Sequence, residues 1–365
     1  MNYLENLLQN SGYSFYFLVV DKFLDINLPQ LKNFQSIFQE NLTVKNSGFL
    51  LSQKNIQDKI KSSPKPVIIP FKPSAKIEKI CQKNSWLNAS NPAKVNRHLE
   101  DKIKFYQECT KVNLPVVPGF IGKFTKDNFI EAQKKYGQKI VIQTHFGWAG
   151  NSTHLFENFE IANNSIPEET LAKFSPFLPG YSLLNNCTLL RHGLIQSPPA
   201  LQYTGLPQYT KNPFATVGRQ WPSQAPDDIQ EKIKQITADF SKKILTPLNY
   251  RGFFGLDFLV SENQVYLLEC NPRLTASFAF YTQIELKNDL TPLFYFHLAE
   301  FINLDYQIDL LQEQSRFYNQ NIIGSEITQR NSRGATIKKL NRFEIFSSTI
   351  NPIQINPQIQ KDLSS

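Results

Sequence analysis

The chain has 365 residues, of which 41 % are apolar and 19 % charged, so it is long enough for two or three domains and too apolar to be wholly disordered. Its 39 lysines and arginines against 31 aspartates and glutamates give a net charge of +8, which favours anionic partners such as nucleic acid, an anionic membrane or phosphate-bearing small molecules. No apolar run approaches the ~18 residues that span a bilayer, no CxxC pair is present and the N-terminus lacks a basic start, so we expect a cytoplasmic protein without zinc knuckles or a disulfide framework.

The first part of the chain mixes apolar runs of strand length with a helical pattern. Apolar and aromatic residues predict strands at 13–20, 48–52 and 67–71, and the sequence over 76–84 predicts a helix. Strands that alternate with helices are typical of an α/β unit. We therefore expect an N-terminal α/β domain over residues 1–93.

A single long helix is predicted next. Ser90, Asn91 and Pro92 supply a capping residue followed by proline, which is a strong helix start. The apolar stripe of this helix consists of Val95, Leu99, Ile103 and Tyr106. The helix must end before Leu114, since a residue that precedes proline avoids helical backbone angles.

The following region returns to strands. An extended segment at 114–120 precedes a helix over 127–135, which ends at Gly137. The apolar run at 139–144 predicts a strand, and a turn that contains glycine follows it.

From residue 176 onward, strand patterns dominate. A strand is predicted at 181–191 and is followed by a turn at His192 and Gly193. Residues 196–226 are rich in proline, glycine and threonine, so we expect an irregular loop there. An amphipathic helix is predicted over 227–245.

The last predicted elements are a hairpin and a helix. Strands at 251–260 and 264–270 flank a three-residue turn, which predicts an antiparallel pair. A helix is expected around 292–302, and residues 346–365 form a polar tail.

The hairpin carries the residues with the clearest chemistry. Asp257 lies on its first strand, and Glu269 and Asn271 lie at the end of the second. Side chains two residues apart share a strand face, so Glu269 and Asn271 point the same way, and the short turn brings Asp257 near Glu269. Two carboxylates and one amide are oxygen ligands that suit Mg²⁺. Arg273 follows on the same side, where it can stabilise charge on a transferring phosphoryl group.

The alternative interpretation is a solvated face, which is the usual place for acidic residues on a hairpin. Here the flanking runs FFGLDFLV and VYLLECNP are strongly apolar, and a carboxylate in a buried run is costly unless it is paired or bound to metal. This pattern favours a functional role. Cys270 alternates away from the predicted ligands, so we expect it to be a core residue.

The run GFFGLDFLV followed by VYLLECNPR resembles the metal-binding hairpin of the ATP-grasp superfamily. The resemblance implies a fold of mixed α/β and α+β class, the ATP-grasp fold. The N-terminal α/β domain would be followed by a lid subdomain over 94–178 and a C-terminal core over 179–345.

The resemblance also implies roles for individual residues. Asp257, Glu269 and Asn271 would bind Mg²⁺, with Mn²⁺ as the alternative ion, and Asn271 would also act in catalysis. Arg273 would contact phosphates or the reacting intermediate. Lys102, in the run LEDK, resembles a lysine that reaches ATP phosphates. The loop of the lid that would approach phosphates contains Gly147, Gly150, Asn151 and Ser152.

The sequence departs from the family pattern at two positions. Many relatives carry a lysine on the strand before the glycine loop, whereas this chain has Gln143, which can hydrogen-bond a phosphate without neutralising it. Ser175 stands where an acidic residue often binds the ribose, and it lacks that acid. Backbone atoms near Phe177 and Leu178 would still bind adenine. The basic residues that could compensate for Gln143 are Lys139 and His145.

Two further arginines are candidate substrate residues. Arg191 lies on a strand that should face the cleft, where it would anchor a substrate carboxylate. Arg219 lies in the predicted irregular segment, which either touches substrate or only covers the core.

The function that the resemblance implies is an ADP-forming ligase. It would activate a small-molecule carboxylate as an acylphosphate with ATP and Mg²⁺, and then join it to an amine, without a nucleic-acid or membrane partner. A homodimer is the assembly that relatives suggest. Two alternatives stay open: a biotin-carboxylase-like activation of bicarbonate, and a nucleotide-binding regulatory module with weakened catalysis. A third, a nucleic-acid-binding protein, rests only on the net charge of +8 and has no recognition motif behind it. Substrate-dependent release of ADP would separate the enzymes from the module.

Overall fold

The computed structural model describes residues 3–25, 31–39, 46–147, 150–319 and 321–328. Its strands form three sheets, which follow one another along the chain. The predicted polar tail and the last residues assigned to the core lie outside the described residues. Within the described ranges, no helix is long and apolar enough to cross a membrane.

The first sheet has four parallel strands in the order β2-β1-β3-β4. Its elements are α1 (Tyr3–Gln9), β1 (Ser14–Leu18), β2 (Phe34–Ile37), α2 (Ser47–Leu51), α3 (Lys54–Lys61), β3 (Pro66–Pro70), α4 (Ala75–Asn84) and β4 (Leu87–Asn88). The central strands are apolar along their length because both faces are covered: Phe17 packs towards the third sheet, and Leu18 packs under α2, α3 and α4. β1, β3 and α4 confirm three of the predicted elements.

The predicted strand at 48–52 is wrong, because this run forms the helix α2. Asn46 caps the helix by accepting a hydrogen bond from the N–H of Phe49 at 2.7 Å. Leu50 and Leu51 are both fully buried. A short apolar run cannot be assigned to helix or strand by periodicity alone, and here the capping residue in front of it decides.

Two helices, α5 (Ala93–Glu100) and α6 (Lys102–Lys111), take the place of the single predicted helix. The break falls at Asp101, whose side chain caps α6 by accepting from the N–H groups of Ile103 and Lys104. Asn91 does not cap α5, because its amide bonds instead to the backbone of Arg251 in both directions. Both helices lie in the predicted lid range but pack on the third sheet.

The second sheet is antiparallel, with the order β5-β8-β6-β7. Its elements are β5 (Phe120–Lys123), α7 (Lys126–Tyr136), β6 (Ile140–Gln143), β7 (Thr153–Phe156), α8 (Phe159–Asn163) and β8 (Leu171–Pro176). Ile142 and Phe174 are fully buried against α7 and α8, so their neighbours in the strands, Gln143 and Lys173, face the opposite way. We call this second sheet with its two helices the lid.

The third sheet has the order β14-β13-β9-β11-β12-β15, with β10 paired to β9. Its strands and helices are β9 (Tyr181–Leu190), β10 (Gly193–Gln196), β11 (Ala200–Thr204), β12 (Thr216–Trp221), α9 (Asp227–Phe240), β13 (Gly252–Ser261), β14 (Gln264–Asn271), α10 (Phe278–Lys287), α11 (Leu293–Phe301), α12 (Leu310–Gln314) and β15 (Gly324–Ile327). The predicted strand, hairpin and final helix are confirmed as β9, β13 with β14, and α11. The predicted irregular loop is wrong in part, because residues 196–226 contain β11 and β12.

The third sheet is buried on both faces. Phe253 packs with α10, α11 and the first sheet, whereas Phe254, the next residue, packs with α9 and α6. Successive side chains of a strand point to opposite faces, so one long apolar strand serves two cores. α9 continues into a wider turn at Ser241–Leu245, so the predicted helix over 227–245 covers both segments.

Candidate active site

The β13–β14 hairpin is antiparallel, as the sequence predicts, but its turn has two residues instead of the expected three. Glu262 and Asn263 turn the chain with φ values of 48° and 62°, which is the backbone of a tight two-residue turn. Asp257 pairs with Glu269, and Gly255 pairs with Asn271. The register therefore places the two carboxylates and the amide on one face, at the end of the hairpin farthest from the turn.

Donors from α6, β11 and β14 surround the acidic pair. Lys102, the first residue of α6, forms an ion pair with Glu269. Gln202 of β11 donates from Nε2 to Asp257 Oδ1 at 3.0 Å, and Asn271 donates from Nδ2 to Asp257 Oδ2 at 3.3 Å. Each carboxylate thus has at least one partner from outside its own strand.

The environment shifts the pKa values of the two carboxyl groups in opposite directions. Burial raises the pKa of Asp257 well above its usual range, and the neighbouring Glu269 carboxylate adds to this effect. Burial also opposes ionisation of Glu269, but the Lys102 ammonium outweighs it and lowers the pKa of that carboxyl. A cation placed between the two groups would favour ionisation of both, and such a pair suits a divalent ion.

Arg273 lies beside the acidic pair but is already paired. Its Nε donates to Glu100 at 2.7 Å, and Nη2 donates to the Asn271 side-chain carbonyl oxygen at 3.1 Å. Its guanidinium lies 4.9 Å from the ring centre of Phe71. Lys72 approaches the other Glu100 oxygen at 2.6 Å. Burial disfavours the Glu100 carboxylate, yet these two cations hold its pKa below the usual value.

Asp101 fixes Lys102 relative to the lid. The Asp101 side chain is 3 % exposed, and each of its oxygens lies 2.9 Å from Nδ1 of His145, which follows β6. The Lys102 N–H donates to the His145 carbonyl at 2.9 Å. The start of the glycine loop is therefore held against the start of α6, which packs on the third sheet.

The glycine loop meets the connection between β11 and β12. Gly150 has φ 80°, and a Cβ there would lie 2.9 Å from the backbone carbonyl of Phe214. Asn212 donates to the Asn151 side chain at 3.4 Å. Ser152 is 2 % exposed, and its hydroxyl has no hydrogen-bond partner among the described residues. A Cβ at Gly147 would overlap the Ser152 side chain.

The remaining residues that are predicted to bind nucleotide lie in the lid sheet or directly after it. Gln143 donates from Nε2 to the Thr153 hydroxyl at 3.2 Å. Phe177 and Leu178 follow β8 and are half-buried. The Phe177 N–H donates to the Lys139 carbonyl at 3.2 Å, so this N–H is already engaged within the lid.

The structure separates the two predicted substrate arginines. Arg219 of β12 lies near the site, where its charge favours ionisation of Asp257, and it pairs with Glu326 of β15 at 2.7 Å. Arg191 follows β9 and pairs with Glu300 of α11 at 3.1 Å. It lies seven residues beyond Leu184, the residue opposite Asp257; at ~3.3 Å per residue this is ~23 Å from the acidic pair.

Sequence reasoning missed three residues that touch the site. Gln202 stands in the segment expected to be irregular, so no strand alternation could assign it a face. Glu100 and Asp101 precede Lys102 in the run LEDK, and an acidic residue at a helix start is a capping signal that could have exposed the break between α5 and α6. Cys270 is buried, as predicted.

The donor set fits a hard divalent cation that takes its other ligands from elsewhere. The described ranges contain no group of three or more His, Cys, Asp or Glu side chains arranged to hold a metal. Asp257, Glu269 and Asn271 offer carboxylate and amide oxygens only, which suits Mg²⁺ and leaves room for waters and phosphate oxygens.

Comparison with known proteins places this geometry in a family. Residues 99–277 match the sequence model of the ATP-grasp domain. N5-carboxyaminoimidazole synthetase of Staphylococcus aureus, solved with ADP, is similar with a TM-score of 0.60 and 14 % identity over 81 % of this chain and 79 % of that one. N5-carboxyaminoimidazole ribonucleotide synthetase of Thermus thermophilus has a TM-score of 0.57 and 14 % identity over 83 % of this chain and 76 % of that one.

A third similar structure is the biotin carboxylase domain of the Hydrogenobacter thermophilus 2-oxoglutarate carboxylase, solved with MgADP, ADP and bicarbonate. It has a TM-score of 0.56 and 12 % identity over 84 % of this chain and 68 % of that one. At these identities the neighbours establish the fold, and the domain match covers the lysine, the glycine loop and the hairpin. Residues 99–277 of the chain therefore form an ATP-grasp domain.

Proposed function

We propose that the chain is an ADP-forming ligase that activates a substrate carboxylate with ATP and joins the acyl group to an amine. One observation carries the proposal: the acidic pair Asp257 and Glu269, the amide of Asn271 and the ammonium of Lys102 converge beside a closed lid with a glycine loop. This set of charges fits a magnesium–nucleotide complex.

In this proposal the nucleotide lies between the lid and the third sheet. The predicted ranges, 1–93 for the N-terminal domain, 94–178 for the lid and 179–345 for the core, serve as its three parts. The lid must open to admit ATP and close again, so that water does not hydrolyse the activated intermediate. Backbone atoms of the segment after β8 are proposed to bind adenine.

The proposed reaction has two steps. A carboxylate oxygen of the substrate attacks the γ-phosphorus of ATP, the bond from that phosphorus to the β–γ bridging oxygen breaks, and ADP leaves. The amine nitrogen then attacks the acyl carbon, the carbon–oxygen bond to phosphate breaks, inorganic phosphate leaves, and the nitrogen loses a proton.

The chain's own side chains have distinct tasks in these steps. Asp257, Glu269 and Asn271 would hold Mg²⁺, which supplies the positive charge that neutralises phosphate oxygens. Lys102 offers a second cation at the same place. Arg273 orients Asn271 through its 3.1 Å hydrogen bond and adds positive charge beside the transferring group. Arg219 is the proposed contact for an anionic substrate.

The similar solved structures support this choice of chemistry. The Staphylococcus aureus enzyme was solved with ADP, and the Hydrogenobacter domain with MgADP and bicarbonate. Bicarbonate is therefore one of the carboxylates that this chain should be offered. Activation of bicarbonate is the second candidate function, and it would use the same hairpin residues.

The test is an assay of ADP formation by the purified protein with Mg-ATP. Pools of carboxylates, with bicarbonate as a separate sample, are supplied with and without pools of amines. Hydroxylamine in a parallel sample traps an acylphosphate as a hydroxamate. Glu269→Gln removes one ligand charge, and Glu262→Gln, in the exposed turn of the same hairpin, is the matched control.

We expect carboxylate-dependent ADP formation and hydroxamate in the wild type and in Glu262→Gln, and neither in Glu269→Gln. ADP formation that depends on bicarbonate alone would favour the second candidate. Nucleotide binding without turnover on any pool would favour a regulatory module. A protein that binds no nucleotide at all would contradict every ATP-dependent interpretation.

A further inference from the structure

A buried lysine lies in the middle of the lid sheet. Lys173 lies on β8 and is 6 % exposed. Ala172 and Phe174 point into the apolar core of the lid, so Lys173 points to the opposite face, towards α6 and the third sheet. Among the described residues, no carboxylate lies within ion-pair distance of its ammonium group. An ammonium in such a position is costly unless an anion joins it.

The surroundings of Lys173 hold it in place but do not neutralise it. Its Nζ lies 4.5 Å from the ring centre of Tyr106, whose hydroxyl donates to the Gly119 carbonyl at 2.7 Å. A Cβ at Gly119 would lie 3.1 Å from the Lys173 Cε, so the stem of the lysine is closely packed. The Cys109 thiol nearby has a pKa raised by burial to about 12 and is therefore neutral at pH 7.

The other charge that acts on Lys173 has the same sign. Burial, with a further contribution from Lys102, lowers the pKa of Lys173 to about 8, although the Cys109 thiol works in the opposite direction. Lys102 is also the residue that pairs with Glu269. The lid face and the start of α6 thus bring two ammonium groups together beside the acidic pair. Two cations in one buried place favour an anionic ligand.

The position of Lys173 in the sheet brings it next to the glycine loop. It pairs directly with Gln143, the last residue of β6 before that loop. The other basic side chains of this strand and loop are engaged elsewhere: Lys139 lies 3.7 Å from Glu157, and His145 contacts Asp101. Among the described residues of these two strands and the loop, Lys173 thus lacks a carboxylate partner and is available to a ligand.

We propose that Lys173 binds a phosphate group of the nucleotide, and that it is the residue that gives the lid its selectivity for phosphorylated nucleosides. The inference rests on the proposed function, because it requires that a nucleotide binds between the lid and the hairpin. The neutral amide of Gln143 would share the same phosphate through hydrogen bonds.

The test compares ADP with adenosine as ligands of the folded protein. Lys173→Met keeps the length and packing of the stem and removes the charge. Lys123→Met is the matched control, because Lys123 lies in β5 of the same sheet and pairs at the surface with Glu169. Isothermal titration with ADP and with adenosine, both in the presence of Mg²⁺, measures the two affinities for each protein.

We expect Lys173→Met to bind ADP ~10- to 100-fold more weakly and to bind adenosine as the wild type does, because a charge-assisted hydrogen bond is lost. Lys123→Met should match the wild type for both ligands. Equal loss of ADP and adenosine would mean that Lys173 only supports the shape of the lid. Unchanged ADP affinity would also overturn the proposal.

A second variant keeps the test valid if methionine disturbs folding. Lys173→Gln combined with Gln143→Lys moves the ammonium to the neighbouring strand on the same face, over ~5 Å. Higher ADP affinity in this exchange variant than in Lys173→Gln alone supports the proposal, and equal affinity contradicts it. A wild-type protein that binds no ADP overturns the proposed function itself. An ADP affinity that does not change when Lys173 is substituted overturns only this inference.

Discussion

The two sides of the junction between the lid and the third sheet differ in how fully their polar side chains are paired. On the hairpin side, Asp257 and Glu269 receive hydrogen bonds or ion pairs from β11, β14 and α6. On the lid side, Lys173 lies over an aromatic ring, and the Ser152 hydroxyl has no partner among the described residues. The hairpin side is ordered by its own contacts, whereas the lid side carries groups that a ligand would satisfy.

This difference follows from how each side is built. The hairpin belongs to a sheet that is packed on both faces, so its backbone holds the carboxylates at a fixed register. The lid has one apolar face of its own and turns the other face towards the third sheet. In the proposed function, the rigid hairpin side would position the metal and the lid side would complete the phosphate contacts, a division that suits a nucleotide clamp. The predictions below test the two sides separately.

The largest effect is expected on the hairpin side. Glu269→Gln should lower kcat/KM for ADP formation by ~100-fold or more, because it removes a negative charge that would hold the cation and pair with Lys102. Steady-state kinetics with the substrate found in the ADP assay measures this effect. Glu262→Gln, at the turn, should leave kcat/KM unchanged, and equal kinetics of both variants would contradict the assignment.

The packing behind the hairpin side predicts a pH effect on stability. His297 accepts a hydrogen bond from the Phe253 N–H at 3.0 Å and lies 3.2 Å from the Ala89 carbonyl. Burial lowers the pKa of His297 from 6.5 to about 3, so on acidification the unfolded chain binds a proton that the folded chain does not. Stability should therefore fall as the pH drops below 6.5, by ~1.4 kcal/mol for each pH unit at most.

Urea unfolding at about pH 7 and about pH 5 measures this contribution. His297→Gln can form the same two hydrogen bonds and cannot titrate. Its free energy of unfolding should vary less between the two pH values than that of the wild type, by ~2 kcal/mol. Identical pH dependence in both proteins would show that His297 does not control acid stability.

A smaller effect is expected on the lid side, at the glycine loop. Gly150→Ala should weaken ADP binding by ~10-fold, because the new Cβ requires a strained backbone and meets the Phe214 carbonyl. Gly12→Ala is the matched control, since Gly12 also has a positive φ, of 74°, but no atom near its Cβ position. Equal ADP affinities in the two variants would contradict a role of the loop conformation in binding.

The smallest effect concerns the contact that joins the two sides. Asp101→Asn keeps an oxygen to cap α6 and removes the charge that faces His145. Opening of the lid should become easier by ~1 kcal/mol, which corresponds to ~5-fold faster hydrogen exchange of the Lys102 amide, whose hydrogen bond to the His145 carbonyl crosses this contact. The amides of β13 serve as the internal reference. Exchange that accelerates equally in β13 would indicate general destabilisation instead.

The sequence predicts the hairpin side better than the lid side, and the reason is physical. Asp257, Glu269 and Asn271 lie on two strands joined by a short turn, so alternation and register determine their common face. Lys173 acquires its position from a strand pairing between residues 143 and 173 that no local pattern encodes. Gln202 reaches Asp257 across β9, which is again a long-range pairing.

The predicted secondary structure is wrong where two local sequence signals compete. The run at 48–52 has the composition of a strand, yet the Asn46 cap and the burial of two adjacent leucines make it helical. The continuous apolar stripe of α5 and α6 hides the break at Asp101, because the stripe stays in phase across it. Such a break is visible only when the acidic residue is interpreted as a cap rather than as part of an exposed face.

The central claim, that the hairpin and the closing lid bind a magnesium nucleotide, is tested most directly by one titration. ADP affinity is measured with Mg²⁺ and with EDTA, for the wild type and for Glu269→Gln. The wild type should bind ADP at least ~10-fold more tightly with Mg²⁺, and Glu269→Gln should lose this difference. An absence of ADP binding in the wild type, or binding that is equally strong in EDTA, would contradict the claim.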